Sequence, residues 1–168
     1  MKRPELTLLL VDDEADVLDS LARDLSSFED HFVLETASDA NEAKKVLETI
    51  KSKGQSLALI FCDHVMPGQS GVDFLIELAK DKELNRAKKV LFTGQAGQED
   101  TIEALNRAHL DHYVAKPWDR EKLLETTRNL LTDFVLENKI NPIPYMAILD
   151  TERLATDVAR RDLFNDSI

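Results

Sequence analysis

Leu6-Thr7-Leu8-Leu9-Leu10-Val11 is a nearly continuous apolar run, and it stops abruptly on Asp12-Asp13-Glu14. A run this apolar at both odd and even positions marks a strand buried on both faces, as in a parallel sheet covered by helices on each side. Leu57-Ala58-Leu59-Ile60-Phe61-Cys62 repeats the pattern and also ends on an acid, Asp63. Outward from these two runs the periodicity alternates. After the first acidic stop, Val17, Leu18, Leu21 and Leu25 recur at helical spacing, and Phe32-Val33-Leu34 reads as a short strand near the sheet edge. Ser38 predicts the N-cap of a helix whose buried stripe is Ala43, Val46, Leu47 and Ile50, and Gly54 ends that helix. Met66-Pro67-Gly68 forces a loop, followed by a helix face of Val72, Leu75, Ile76 and Ala79. Val90-Leu91-Phe92 is a fourth strand ending at Thr93-Gly94, and a helix opened by Gln98-Glu99-Asp100 carries Ile102, Leu105 and Ala108. His112-Tyr113-Val114-Ala115 is a fifth strand stopped by Lys116-Pro117, and a last helix begins near Asp119.

Five strands alternating with five helices predict an α/β fold, a doubly wound parallel (βα)5 sheet of flavodoxin-like order 2-1-3-4-5. That order places strands one and three, the most apolar, in the middle. The site of such a sheet lies at the carboxyl ends of the strands, near the switch point between strands one and three. Those ends carry Asp12-Asp13, Asp63, Thr93 and Lys116, so three carboxylates, a hydroxyl and an amine should converge.

Clustered carboxylates repel one another unless a cation sits between them. Hard oxygen ligands with few protein contacts suit Mg²⁺, which prefers a site completed by a phosphate oxygen. A lysine opposite the acids can neutralise a phosphoryl group, a threonine hydroxyl can donate to one, and an aspartate can itself be the nucleophile that forms an acyl phosphate.

At these residues the chain resembles the receiver domains of two-component response regulators, over Leu6 to about Leu131. The resemblance implies a phospho-acceptor at Asp63 in FCDHVMPGQSG. It implies a metal site for Mg²⁺, for which Mn²⁺ can substitute, with Asp13 as direct ligand, Asp12 through water, Asp63, and the Val65 backbone carbonyl. Thr93 in LFTG corresponds to the switch hydroxyl, Lys116 in AKPW to the phosphoryl-binding lysine, and Tyr113 to the aromatic rotamer switch; Pro117 is expected to be cis. Val65 and Gln95 occupy positions that tune water access to the phosphoryl group, and an apolar Val65 predicts a moderate to long phosphoryl lifetime. Asp16, Asp19 and Arg23 on the first helix fall where kinase choice is set. The implied partners are a sensor histidine kinase or histidine phosphotransfer protein, and a downstream protein or a second copy as a homodimer. Such a protein is no enzyme beyond its own phosphorylation and dephosphorylation. Each feature has an ordinary counterpart (an acidic turn, a helix cap, a core aromatic); the weight comes from all of them falling at successive strand ends.

Other classes fit less well. A haloacid dehalogenase-type phosphatase needs Asp-x-Asp after the first strand, a flavodoxin a Ser/Thr/Gly-rich loop there, and a P-loop NTPase a Gly-rich loop ending in Lys-Ser or Lys-Thr. The chain has 168 residues and a net charge of −11, from 32 acids and 21 bases, which argues against direct nucleic-acid binding. The basic clusters Lys51–Lys53 and Arg86–Lys89 read as solvated loop ends. No apolar run is long enough to span a bilayer and acids interrupt the first run, so a cytoplasmic protein without membrane attachment is expected. The one cysteine, Cys62, sits in an apolar run and reads as a core thiol.

Residues 1–132 are taken as the receiver domain and 133–168 as an extension. The last helix continues in pattern to Lys139, about 30 Å from Asp119, so its apolar stripe should project and need cover from a second subunit or from the tail. Asn141-Pro142-Ile143-Pro144 predicts an extended break, and Asp150 or Thr151 caps a short amphipathic helix with Leu154, Ala155 and Val158 on one side. That helix is either a strut on the domain or an interaction element, and the whole chain either a stand-alone regulator, a phosphorelay intermediate, or the regulatory piece of a longer protein.

Overall fold

The structure, a computed structural model, describes residues 4–94, 102 and 106–165. Its strands are β1 (Leu6–Val11), β2 (Val33–Ala37), β3 (Ser56–Asp63), β4 (Lys88–Thr93) and β5 (His112–Ala115). They form one sheet of order β2-β1-β3-β4-β5, with every neighbouring pair parallel. Among the described residues the helices are α1 (Ala15–Asp24), α2 (Ala40–Ser52), α3 (Gly71–Ala79), α4 (Arg120–Glu137) and α5 (Thr151–Asn165). The helix expected to open at Gln98–Asp100 falls largely outside the described residues.

The alternation of β1 sorts the core into two layers. Leu9 and Val11 face a cluster with α2 and α3 residues such as Leu47, Ile50, Phe74 and Leu75. Leu6, Leu8 and Leu10 face the other, with Leu21 and Leu25 from the first helical segment and Leu123, Leu131 and Val135 from α4. The register between β1 and β3 shifts at Thr7/Leu8, pairing Thr7 with Leu57 but Leu8 with Leu59. One extra β3 residue is accommodated there, as in a bulge.

Helix ends follow local chemistry, with one correction. Asp39, not Ser38, caps α2, its Oδ1 accepting the Glu42 N–H at 2.8 Å. Ser38 instead donates its backbone N–H to the Glu42 carboxylate at 2.8 Å, which satisfies a further free donor ahead of the helix. Gly54, at φ +67°, closes α2, with its own N–H on Lys51 O and the Gln55 N–H on Ile50 O. Ser70, Asp119 and Asp150 cap α3, α4 and α5 through side-chain oxygens.

Three other expectations are revised. β2 starts and ends later than Phe32–Leu34, because Phe32 turns into the core as a fully packed ring before the strand begins. Lys88 and Lys89 are not solvated loop ends but the first residues of β4, both buried. The Lys89 ammonium donates to the carbonyls of Asn85 and Ala87, and Lys88 pairs with Glu137 at 2.8 Å, so neither charge is left bare. The Pro142–Pro144 break is a 3-10 turn over Ile143–Tyr145 rather than an extended segment.

That turn brings the tail back onto the domain. Tyr145 is fully buried, stacked on Phe32 with ring centroids 5.3 Å apart, and Leu149 and Leu154 join the α4 layer. Thr132 Oγ1 accepts the Asp150 N–H, and Arg153 pairs with Asp133. The apolar stripe of α4 is therefore covered by the chain's own tail.

Candidate functional site

β1 and β3 lie side by side in the middle of the sheet, so the acids that end them meet at its carboxyl edge. Oxygens of Asp12, Asp13 and Asp63 lie within 4.8 Å of one another. Asp12 and Asp63 are buried and Asp13 is exposed. Asp12 Oδ1 accepts the Glu14 N–H at 2.9 Å, which turns the chain away from β1 into α1.

Lys116 reaches across from the end of β5. Its ammonium lies 2.7 Å from Asp12 Oδ2 and 2.8 Å from Asp63 Oδ1. Its backbone N–H donates to Thr93 O at 2.8 Å, and the Lys116–Pro117 peptide is cis. Thr93 is buried at the end of β4, whereas Tyr113 on β5 is half exposed. The Val65 side chain is 75 % exposed. Gln95 lies outside the described residues.

Burial pushes the Asp63 carboxyl above the usual carboxylate range; the Lys116 hydrogen bond opposes this, and the charges of Asp12 and Asp13 add to it. For Lys116, burial works against the ammonium, but its bonds to Asp12 and Asp63 outweigh it and hold the group above the ordinary lysine range. Cys62 is buried, and burial, with the nearby charges of Asp63 and Asp12, pushes its thiol far up, so it is an inert core residue.

Three carboxylates face one ammonium, an excess of negative charge that a small divalent cation would offset. The donor set is all oxygen, partly buried and open on the Asp13 side, which fits Mg²⁺.

Two contributors to the site stand in the motifs quoted above without a role read from the sequence. Gly71, the first residue of α3, packs on the backbone of Asp63 so closely that a Cβ there would sit 1.8 Å from Asp63 O. Its N–H donates to His64 O at 2.8 Å, and the His64 N–H to Phe92 O, tying the residue after Asp63 to both α3 and β4. A glycine directly after a serine N-cap was the available signal. The second is Trp118, whose indole packs on Phe92 and donates to Asp24 at the end of α1.

Residues 8–128 match the family model of the response regulator receiver domain. The chain belongs to that family, the receiver domains of two-component response regulators. The hydrogenase transcriptional regulatory protein HoxA of Cupriavidus necator is 34% identical over 128 residues, 76% of this chain and 24% of the relative. The chain thus spans about a quarter of the length of the first curated relatives it matches. The chemotaxis protein CheY of Halobacterium salinarum is 26% identical over 74% of this chain and 96% of its own. Among solved structures, the CheY-like receiver domain protein of Methanospirillum hungatei matches with a TM-score of 0.67 and 28% identity, over 79% of this chain and 98% of that one. The signal receiver domain of an HD domain-containing protein from Pseudomonas fluorescens matches with a TM-score of 0.70 and 25% identity, over 83% and 94%. No helix among the described residues is long and apolar enough to cross a membrane.

Proposed function

We propose that this receiver domain takes up a phosphoryl group on Asp63 and releases it to water, and that the modified state signals through protein contacts. The observation that carries the reading is the Lys116 ammonium, bridging the buried carboxylates of Asp12 and Asp63 within 2.8 Å beside the exposed Asp13. An Asp63 Oδ attacks phosphorus of a phosphohistidine on a sensor kinase or phosphotransfer protein. The P–O bond forms as the P–N bond breaks, and the electron pair returns to the imidazole of the donor. Asp12, Asp13, Asp63 and the Val65 carbonyl would hold Mg²⁺, or Mn²⁺ in its place, whose charge offsets that of the transferring group.

The remaining steps belong to side chains of this chain. Lys116 exchanges its bond to Asp63 for one to a phosphoryl oxygen, and the Thr93 hydroxyl donates to another. Tyr113, half exposed on β5, follows Thr93 inward and so changes the surface offered to a partner. Val65 and Gln95 set how readily water attacks, with an apolar Val65 giving no help and an acyl phosphate of moderate to long lifetime.

Intact-mass measurement after incubation with acetyl phosphate and Mg²⁺ tests this. One phosphoryl addition is expected, absent in Asp63→Ala and without Mg²⁺. An unlabelled wild type, or equal labelling of Asp63→Ala, overturns it. Light scattering with beryllofluoride then separates the outputs: a doubled mass means self-association, an unchanged mass a partner docking on the existing state.

A second reading follows from the HoxA relatives, roughly four times as long as the matched segment. In it, this receiver is the regulatory part of a longer regulator and the tail leads to an output domain.

A further inference from the structure

Lys116 is held at one end by the carboxylates, and the loop that follows it is held at the other. Trp118 Nε1–H donates to Asp24 Oδ2 at 2.8 Å, and Arg120 Nε lies 3.6 Å from Asp24 Oδ1. Asp24 is the last residue of α1 and Arg120 the first of α4, so one half-buried carboxylate gathers both helices and the loop between β5 and α4. The indole ring packs on Phe92, tilted at 60° with centroids 5.2 Å apart, and Phe92 packs on Phe61 at 5.5 Å. Phe92 precedes Thr93, and Phe61 lies two residues before Asp63. A continuous line of packed rings therefore runs from β3 through β4 to the loop carrying Lys116, and it ends on a hydrogen bond to α1.

We infer that Asp24 and Trp118 are positioning residues: they form a latch that sets the loop carrying Lys116 and thereby the affinity for a phosphoryl group on Asp63. The inference rests on the reading of Asp63 as the acceptor. Lys116 must leave Asp63 Oδ1 for the phosphoryl oxygen while its backbone stays beside Thr93. A loop anchored at Trp118 makes that exchange a side-chain movement. An unanchored loop must be ordered again at each binding event, a cost taken directly from affinity. The latch also joins the site to α1, so a protein seated on the end of that helix would act on Lys116 through Asp24.

The test is calorimetric titration of beryllofluoride into the Mg²⁺-loaded full chain. The proteins are wild type, Asp24→Ala, Trp118→Phe, the double variant, and Asp63→Ala as control. Trp118→Phe keeps an aromatic ring beside Phe92 while removing the N–H donor and the five-membered part of the indole. Each single variant should weaken binding roughly fivefold, the worth of a typical net hydrogen bond. The double variant should lose less than the sum of the two single losses, because both remove the Trp118–Asp24 hydrogen bond, while Asp24→Ala alone also removes the Arg120 pair. The chain has one tryptophan, so its emission is a second readout: it should shift on beryllofluoride binding in wild type and stay unchanged in Asp63→Ala. Single variants that bind as wild type, or losses that add in full in the double variant, overturn the latch while leaving Asp63 as acceptor. Wild type that binds no beryllofluoride, or no more than Asp63→Ala does, removes the acceptor reading and the latch with it.

Discussion

Replacing Gly71 by alanine would ask α3 to part from the strand that carries Asp63. The new Cβ would stand 1.8 Å from Asp63 O, 2.8 Å from its carbonyl carbon and 3.1 Å from His64 Cα, all of them backbone atoms. None can swing aside as a side-chain tip would, so the separation must open from 1.8 Å to the 3.4 Å at which ordinary contact begins. Moving α3 away also stretches the 2.8 Å hydrogen bond from Gly71 N–H to His64 O. Overpacking of this kind costs about 1–3 kcal/mol, and a buried hydrogen bond adds about 1 kcal/mol. Gly71→Ala should therefore lose about 2–4 kcal/mol in urea unfolding. It should also bind beryllofluoride at least tenfold more weakly, since Asp63 is displaced relative to Lys116 and Thr93. Gly68→Ala is the control: φ is +82° but nothing lies within 4 Å of the added methyl. Only left-handed strain acts there, costing about 1–2 kcal/mol and leaving the site intact. Gly71→Ala unfolding within 0.5 kcal/mol of wild type, with unaltered affinity, would refute the close packing of α3 on Asp63.

Three further outcomes are expected. Asp63 has a folded-state pKa above its ordinary value of 3.8, so it favours folding when protonated and loses that contribution as pH rises through the folded value. Asp63→Asn should thus be more stable than wild type at neutral pH, and the gap should close as pH falls through the acid range. A pH-independent gap in urea midpoints would contradict this. Mg²⁺ at a hundred times its dissociation constant should stabilise wild type by about 2.7 kcal/mol, read as a rise in Tm, and Asp13→Ala should lose most of that response. Tyr145→Ala deletes a fully buried ring stacked on Phe32 and should cost about 3–5 kcal/mol in chemical unfolding; a near-silent substitution would mean that the tail is not part of the core.

Much of this fold is written locally. The apolar runs ending at Val11 and Cys62 point to two-faced burial by themselves, being strand-length runs stopped by acids. Acids, Thr93 and Lys116 at the strand ends then fall on one edge by topology alone. Where local chemistry offers two equivalent choices, the sequence is silent: Ser38 and Asp39 are both good caps, and only the backbone geometry selects Asp39.

The alternation of elements, the family resemblance and the residues at the carboxyl ends of the strands are legible along the chain. Contacts between groups far apart in the chain are not. Lys116 meets Asp12 across 104 positions, and Trp118 meets Asp24 across 94. Lys88 reads as a solvated base until Glu137, 49 residues on, arrives beside it. The end of the last helix reads as projecting, open to cover by a second subunit or by the tail, until Tyr145 turns back onto Phe32. Apolar periodicity reports which side of an element faces inward, but whether a charge or an apolar stripe is covered depends on partners that only folding brings within reach.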